Sequence, residues 1–430
     1  MTTCISTITS ARRLGLRAIF FVCVGCSSET PDATVAPVAD SGSGGAAAVA
    51  DSASRPIMAP TTRSTAGVGG FVTPTAGAGA AASSPATAGA AGAAGLPDHA
   101  GADAGAAPTV VIDERQTLVP DPGWSCGMPT GIPGPALGEH AFDIDLDLGD
   151  VRDLGNTPFG HRRRIDVRGG TIDGDGIRGR VKSWGIEDEL ALDNGVLELE
   201  ELHMLQLGDE QVFLRGCGIA PTPDHPARMV LDIEAAKGGS YAALNEGLYV
   251  ATRSYDEPLK LLRIAVYKLA PNTPADPRAG AQIIRPPGRP GQTPECKATA
   301  AKRGSELYRA TIDLAGYWSV GESKHGTRNM IPITGGTLTG KLEGRILAGG
   351  ADYQLSKDDT LTLDARYLIE LADGELIAVR NCGQVGSLIP TFEARADGPY
   401  TWLNNSPFVS TDPSPKPDLT GIDLTVFAAE

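Results

Sequence analysis

The chain is poor in aromatic residues (5%) and short of positive charge, with 37 Lys and Arg against 52 Asp and Glu and a formal net charge of −15. That balance argues against nucleic acid as a partner, since little here would neutralise phosphates. The one basic run, His161-Arg162-Arg163-Arg164, reads as the solvated edge of a strand. No apolar stretch approaches the ~20 residues that a membrane-spanning helix needs. Walker-type phosphate loops, HExxH and nucleophile elbows are missing, as are CxxC pairs and Cys/His clusters beyond residue 26, so neither a cofactor nor a metal is expected. Asp143-x-Asp145-x-Asp147 approaches a calcium loop, but Gly149 falls one place late and Leu154 stands where the closing Glu belongs. An acidic outer strand face explains it better. His203 lies in strand alternation and reads as a core or rim residue rather than a ligand.

What is abundant is glycine, 54 residues of 430, much of it in a tract of Ala, Gly, Ser, Thr and Pro. Residues 26–108 cannot bury enough apolar surface to offset their ordering entropy and are expected to be a disordered tether. At about 80 residues, its root-mean-square span as a Gly-rich coil is ~50 Å. Residues 1–25 carry an address: Arg12, Arg13 and Arg17 precede the apolar run Ala18 to Val24, which ends in Val24-Gly25-Cys26-Ser27-Ser28. The pattern resembles a bacterial lipoprotein signal with Cys26 as the lipidated residue, although Cys23 stands where Leu is usual. The alternatives are an ordinary secretory or a twin-arginine signal. Ser27 favours the outer membrane, which places the protein in the cell envelope, facing the periplasm or the surface, with the membrane as a partner through the anchor.

The remainder is a tandem repeat. Phe142 to Gly174 slides onto Tyr308 to Gly340 without a gap at an offset of 166, and ten of the 33 positions are identical, among them Gly160/Gly326, Arg162/Arg328 and Gly169-Gly170/Gly335-Gly336. Arg215-Gly216-Cys217-Gly218 answers Arg380-Asn381-Cys382-Gly383, and Tyr241 to Asn245 answers Tyr400 to Asn404. Two copies of one module follow, 109–270 and 305–430, joined by a Pro-rich connector over 271–304. Duplicated modules often keep the self-complementary contact of an ancestral dimer, so the two are expected to dock. The connector would run along their interface and bury Ile283-Ile284.

Leu361, Leu363, Ala365, Tyr367, Ile369 and Leu371 alternate with Thr362, Asp364, Arg366 and Glu370, the period-two signature of a strand. Asp373-Gly374 then supplies a hairpin turn. Short strands with regular turn signals fill both modules and point to a closed barrel or a sandwich. The ordered motifs GxR, ITGGT, LxGxxLxGGAD, LDARY and DGELIxVRNxG resemble a bacterial and fungal family known as domain of unknown function 3237, similar to uncharacterised protein family 0311. The resemblance implies the barrel: an all-β protein of two tandem closed β-barrel modules preceded by a disordered Gly/Ala-rich linker. The second copy lies closer to the family pattern, and the first is degenerate.

Once the expected signal over 1–25 is removed, four cysteines remain beside Cys26, Cys126, Cys217, Cys296 and Cys382, at similar spacings within each copy. In an exported protein they read as disulfides, and of the three connectivities Cys126–Cys217 with Cys296–Cys382 respects the repeat. For chemistry, the second module gathers Asp352, Asp364, Arg366 and Arg380. At a barrel mouth the arginines would grip a carboxylate or enolate oxygen and an aspartate would act as general base. Tyr367, Asn381 and Trp402 complete the candidate binding set. The rival reading is an exposed ion-pair ladder. In the first module the aligned residues are Glu187, Glu200, Leu202, His203 and Gly216, with only Arg215 retained. Two functions remain open: a non-catalytic binding or surface module for a small organic ligand, or a lyase, isomerase or cyclase acting on an oxygenated organic acid in the second module.

Overall fold

The computed structural model describes residues 113–430 apart from 125, 127–130, 223–224, 257–258, 272–279, 287–289, 292–295, 297–300 and 419. The expected signal sequence, Cys26 and the tether over 26–108 lie outside the described residues. Among those described, none forms an α-helix, and no helix is long and apolar enough to cross a membrane.

A short strand β1 (Leu118–Pro120) leads into the first sheet. That sheet holds β2 (Gly138–Asn156), β3 (His161–Gly174), β4 (Ile177–Val181), β5 (Ile186–Ala191), β6 (Leu197–Leu207), β7 (Glu210–Ala220), β8 (Ala227–Glu234), β9 (Leu248–Asp256) and β10 (Leu261–Leu269). All its ladders are antiparallel, and the path from β2 through β10, β9, β8, β7, β6, β4 and β3 returns to β2. Every second residue therefore faces inward. Leu262, Ile264 and Val266 of β10 meet Ile144, Leu146, Leu214, Leu231 and Ala251 in one buried core.

After β11 (Ala281–Ile283) the second sheet repeats the plan. It comprises β12 (Arg303–Leu314), β13 (Trp318–Glu322), β14 (Thr327–Gly340), β15 (Gly344–Ile346), β16 (Ala351–Lys357), β17 (Thr360–Leu371) and β18 (Leu376–Gln384). It ends with β19 (Ser387–Glu393), β20 (Phe408–Ser410), β21 (Ser414–Pro415) and β22 (Gly421–Ala429). Its own core gathers Tyr308, Ile312, Tyr367, Ile369, Val379, Phe392 and Val426. Asn381 Nδ2 of β18, beside the end strand β19, donates to Ser410 Oγ of the other end strand, β20, at 3.1 Å. The protein is thus all-β, with two barrel-like modules.

The repeat is visible in the ladders. Phe142 pairs Gly174 as Tyr308 pairs Gly340, and both ladders slip one step after Asp147 and Asp313 respectively. Gly160 and Gly326 both have positive φ, and a Cβ there would come within 2.7 Å of the Ala191 carbonyl and 2.5 Å of the Ser356 carbonyl. Any side chain would force the following strand off its partner.

The disulfides join Cys126 to Cys217 and Cys296 to Cys382, the pairing that the repeat suggested. The first pins the leading segment onto the outer face of β7, where Leu118, Trp124 and Ile132 cover Ile219, Val230 and Val250. The connector returns to the same place: β11 pairs in parallel with β1, and Arg285 donates to Glu198 at 2.5 Å. Ile283 is buried there, whereas Ile284 is 67% exposed.

Contacts between the modules come in matched pairs. Thr157 Oγ1 and Arg162 Nε donate to Glu393 at 2.6 and 3.1 Å. The equivalent Ser323 Oγ and Arg328 Nε donate to Glu234 at 2.5 and 2.9 Å. The Ala396 amide donates to the Asn156 carbonyl, and the Lys237 amide to that of Glu322, each at 2.8 Å. Val320 joins Met204 and Phe213 of the first module, while its counterpart Leu154 joins Leu347 and Leu368 of the second. A contact that occurs twice in this exchanged sense is what a two-fold relation generates.

Candidate functional site

Ladder register fixes the face of each candidate residue. Asp364 and Arg366 lie on the outer face of β17, and Arg380 stands beside them on β18, directly opposite Arg366. Arg380 grips Asp364 with Nε and Nη2 at 2.7 and 2.9 Å. Arg366 reaches the same carboxylate at 3.0 Å and, with Nη1, Glu200 of the first module at 2.8 Å. Arg215 completes the chain, donating to Glu200 at 2.8 Å and to the Cys126 carbonyl at 2.9 Å. Burial alone would raise the Glu200 carboxyl, but Arg366 and Arg215 hold it down at about 2. Asp364 is depressed further, because Arg366 and Arg380 outweigh its burial. These residues form one ionic network across the module interface, each charge already answered.

The interior face carries a different set. Asp352 pairs with Ile331 on one side and Ala365 on the other, and Ala365 pairs with Asn381. Asn329, Gln354 and Ser410 face the same way, so Asp352 stands among neutral hydrogen-bonding groups. Gln354 Nε2 donates to Asp352 at 2.8 Å and the Asp364 amide at 3.2 Å. Burial, with the nearby Asp364 charge, pushes the Asp352 carboxyl up to about 6. Tyr367, two residues beyond Ala365, is buried and its phenol is pushed up to about 12. Trp402 belongs to another part of the module: its ring packs on Phe408 and lies 4.6 Å from Lys341 Nζ, past the far end of β14. The structure therefore brings Asp352, Tyr367 and Asn381 onto one interior surface, places Asp364, Arg366 and Arg380 on the opposite side of the sheet, and sets Trp402 apart.

The matching interior of the first module holds a cluster that the sequence comparison passed over as erosion. Ladder positions equate Glu187 with Asp352, Glu201 with Ala365, His203 with Tyr367 and Gly216 with Asn381. His203 Nε2 lies 2.9 Å from Glu187, and Arg253 donates to Glu187 and Glu189 at 3.2 and 2.8 Å. Burial and the Glu187 charge raise the Glu201 carboxyl to about 7. The imidazole of His203, which burial would lower, is instead raised to about 9 by its two glutamates. The signal was there in Glu187-x-Glu189 and Glu201-x-His203, charged residues spaced by two and so set on one face of each strand.

The basic run also differs from expectation. Each arginine of the run in β3 meets a carboxylate, Arg162 on Glu393, Arg163 on Glu189 and Arg164 on Asp188, and Arg163 alone is exposed to solvent. Both Arg162 and Arg164 are buried on one face of the strand, where Arg162 meets Glu393 of the second module.

Fold and site together define a duplicated barrel-like module with one polar and one charged interior. The model of the family described as "Protein of unknown function (DUF3237)" matches residues 305–388. A UPF0311 protein of Clostridium acetobutylicum is 33% identical over 108 residues, 20% of this chain and 68% of that protein. The chain belongs to this family. A UPF0311 protein of Bradyrhizobium diazoefficiens is 36% identical over 78 residues, 18% of this chain and 51% of that protein, so the chain spans about half the length of that relative. The hydroalkoxylation enzyme phnH of Penicillium herquei is 27% identical over 109 residues, 25% of this chain and 72% of that enzyme.

Proposed function

We propose that the protein is a cell-envelope binding module, held to a membrane by a lipid on Cys26, whose two modules act as a docked pair. Its ligand is a small oxygenated organic molecule taken at the polar end of the second module's interior. The observation that carries this reading is Asp352, an interior carboxyl facing Asn329, Asn381 and Ser410, while the Asp364–Arg366–Arg380 set is spent on Glu200. A carboxyl poised at about 6 exists in both forms near neutrality and can donate to, or accept from, a hydroxyl or carboxylate. Thermal-shift screening of the full-length protein against a metabolite library should yield stabilising hits that weaken in Asp352→Asn and Asn381→Ala. Hits that stabilise both variants as much as wild type would rule this site out. The address has its own test: labelled palmitate should enter the wild-type protein and not Cys26→Ser, and equal labelling would refute the anchor.

A catalytic reading has one specific observation in its favour, the relative named as a hydroalkoxylation enzyme. Hydroalkoxylation adds an O–H across a C=C bond. In that reading Asp352 delivers a proton to the alkene carbon, the substrate's hydroxyl oxygen closes onto the other carbon, and the hydroxyl proton restores the carboxyl. The product is an isomer of the substrate, as for the cyclase-type enzyme that the second module's residues suggest. Mass-neutral conversion of a library hydroxy-alkene, lost in Asp352→Asn, separates catalysis from binding.

A further inference from the structure

Inside the first module stand three potential ligand side chains, Glu187, Glu201 and His203, and hydrogen bonding leaves the last two incomplete. Glu187 and Glu201 are 1% exposed and His203 is fully buried, and one ligand atom from each lies within 4.8 Å of the others. His203 Nε2 is 2.9 Å from Glu187 Oε1 and 3.9 Å from Glu201 Oε2, the latter beyond hydrogen-bond length. Both oxygens of Glu201 and Nδ1 of His203 lack a hydrogen-bond partner although sealed from solvent. A buried carboxylate left in that state is costly, because nothing replaces the hydration it has lost.

We propose that Glu187, Glu201 and His203 hold one divalent first-row transition-metal ion of the zinc type. Metals of this class bind nitrogen and oxygen at roughly 2.0–2.2 Å, which sets neighbouring ligand atoms about 3–3.5 Å apart. The separations of 2.9 and 3.9 Å bracket that range. An imidazole with two carboxylates suits zinc, cobalt, manganese or ferrous iron better than calcium or magnesium, which prefer oxygen throughout. Glu201 can bind through both oxygens, so three side chains supply four donors. Two positive charges on the ion balance Glu187 and Glu201, and Glu189 is already answered by Arg253 and Arg163. Arg253 also holds the far oxygen of Glu187 at 3.2 Å, which orients the near one towards His203.

Room for these side chains comes from two glycines. A Cβ on Gly185 would stand 2.3 Å from His203 Nδ1, and one on Gly216 would stand 2.5 Å from Glu201 Oε1. The second module has Asn381, Ala365 and Tyr367 at the positions of Gly216, Glu201 and His203, so the site belongs to the first module alone. Sealed from solvent, the ion is structural and ties β5 to β6.

Full-length protein stripped with a chelator and titrated with Co²⁺ should take up one equivalent, read by calorimetry and by the visible absorption of a nitrogen–oxygen site. Zn²⁺ should displace it and raise the melting temperature. Glu201→Gln and His203→Gln should each weaken Co²⁺ binding at least about 10-fold, while Asp145→Asn on the outer face of β2 binds as wild type. If either variant fails to fold, Glu187→Gln, which keeps an oxygen for Arg253, carries the same comparison. Folded wild-type protein that takes up no Co²⁺, or an equivalent retained in the Glu201, His203 and Glu187 variants alike, overturns the assignment.

Discussion

Where the first module sets Glu187, Glu201 and His203 on its interior face, the second sets Asp352, Ala365 and Tyr367 at the same ladder positions. The backbone plan is common to both, down to the slipped ladders after Asp147 and Asp313. The difference teaches that a duplicated barrel keeps its turns and its docking face while its interior is free to change chemistry. One copy fills the space with charged side chains, Glu187, Glu189, Glu201, His203 and Arg253. Its twin leaves a single titratable carboxyl among neutral amides.

The comparison can be broken most forcefully at Arg253. Arg253→Met leaves Glu187 and Glu189 without their buried cation and should cost about 3–5 kcal/mol in denaturant unfolding. Asp412, the residue 159 positions further on in the second module, is exposed and accepts the Gly386 amide at 2.6 Å, and Asp412→Ala should cost no more than about 1 kcal/mol. Equal losses would mean that the two interiors are not different in kind.

Next in size is the network between the modules. Arg366→Met strips Glu200 of one of its cations and Asp364 of another and should cost about 3 kcal/mol, with a double-mutant cycle against Glu200→Gln showing coupling above ~1 kcal/mol. The Glu200 carboxyl is held at about 2 in the folded chain, well below its ordinary 4.5, so its contribution is intact above pH 4.5 and fades as pH falls towards 2. The acid-unfolding midpoint of Arg366→Met should therefore lie at higher pH than that of wild type. An unchanged midpoint would remove Glu200 from the list of groups that hold the modules together.

Asp352 has the opposite sign. It keeps its proton up to about pH 6 in the folded chain, against an ordinary value of 3.8. Between those limits the native state binds more protons than the unfolded one, and stability declines as pH rises, by about 3 kcal/mol in all. Asp352→Asn should flatten this slope; a slope that survives the substitution would assign it to another group. The smallest effect sharpens the two-fold relation: Leu154→Ala and Val320→Ala, counterparts that each insert into the opposite module, should cost similar amounts, about 1–3 kcal/mol.

Much of this was legible in the sequence, for identifiable reasons. Glycines at turns and slips are held by backbone geometry, so Gly160/Gly326 and Gly169-Gly170/Gly335-Gly336 displayed the repeat directly. Cysteines placed alike in each copy displayed the disulfides. The alternation from Leu363 to Leu371 separated the two faces of β17 correctly, with Tyr367 and Ile369 inside. What alternation could not convey is that the outer face would meet another module, which is why Asp364 and Arg366 looked like residues of a mouth or of open solvent. The same limit applies to Arg162 and Arg164, whose partners lie on strands that no local pattern connects to them. The charged interior of the first module was hidden by the comparison with its twin, which made Glu187 and His203 look like lost family residues rather than gained ones.

The pairing of first strand to last in each module has a consequence in time. β2 finds its second neighbour only in β10, and β12 only in β22, so a long strand made early must wait for one made more than a hundred residues later. Contacts so distant along the chain make for slow folding and leave an unpaired edge during the wait. The clamp of β1 on β11 comes later still, since Leu118 meets Ala281. A chain emerging from its N-terminus would assemble the first module, latch it with the connector, and only then present the face on which the second is to fold.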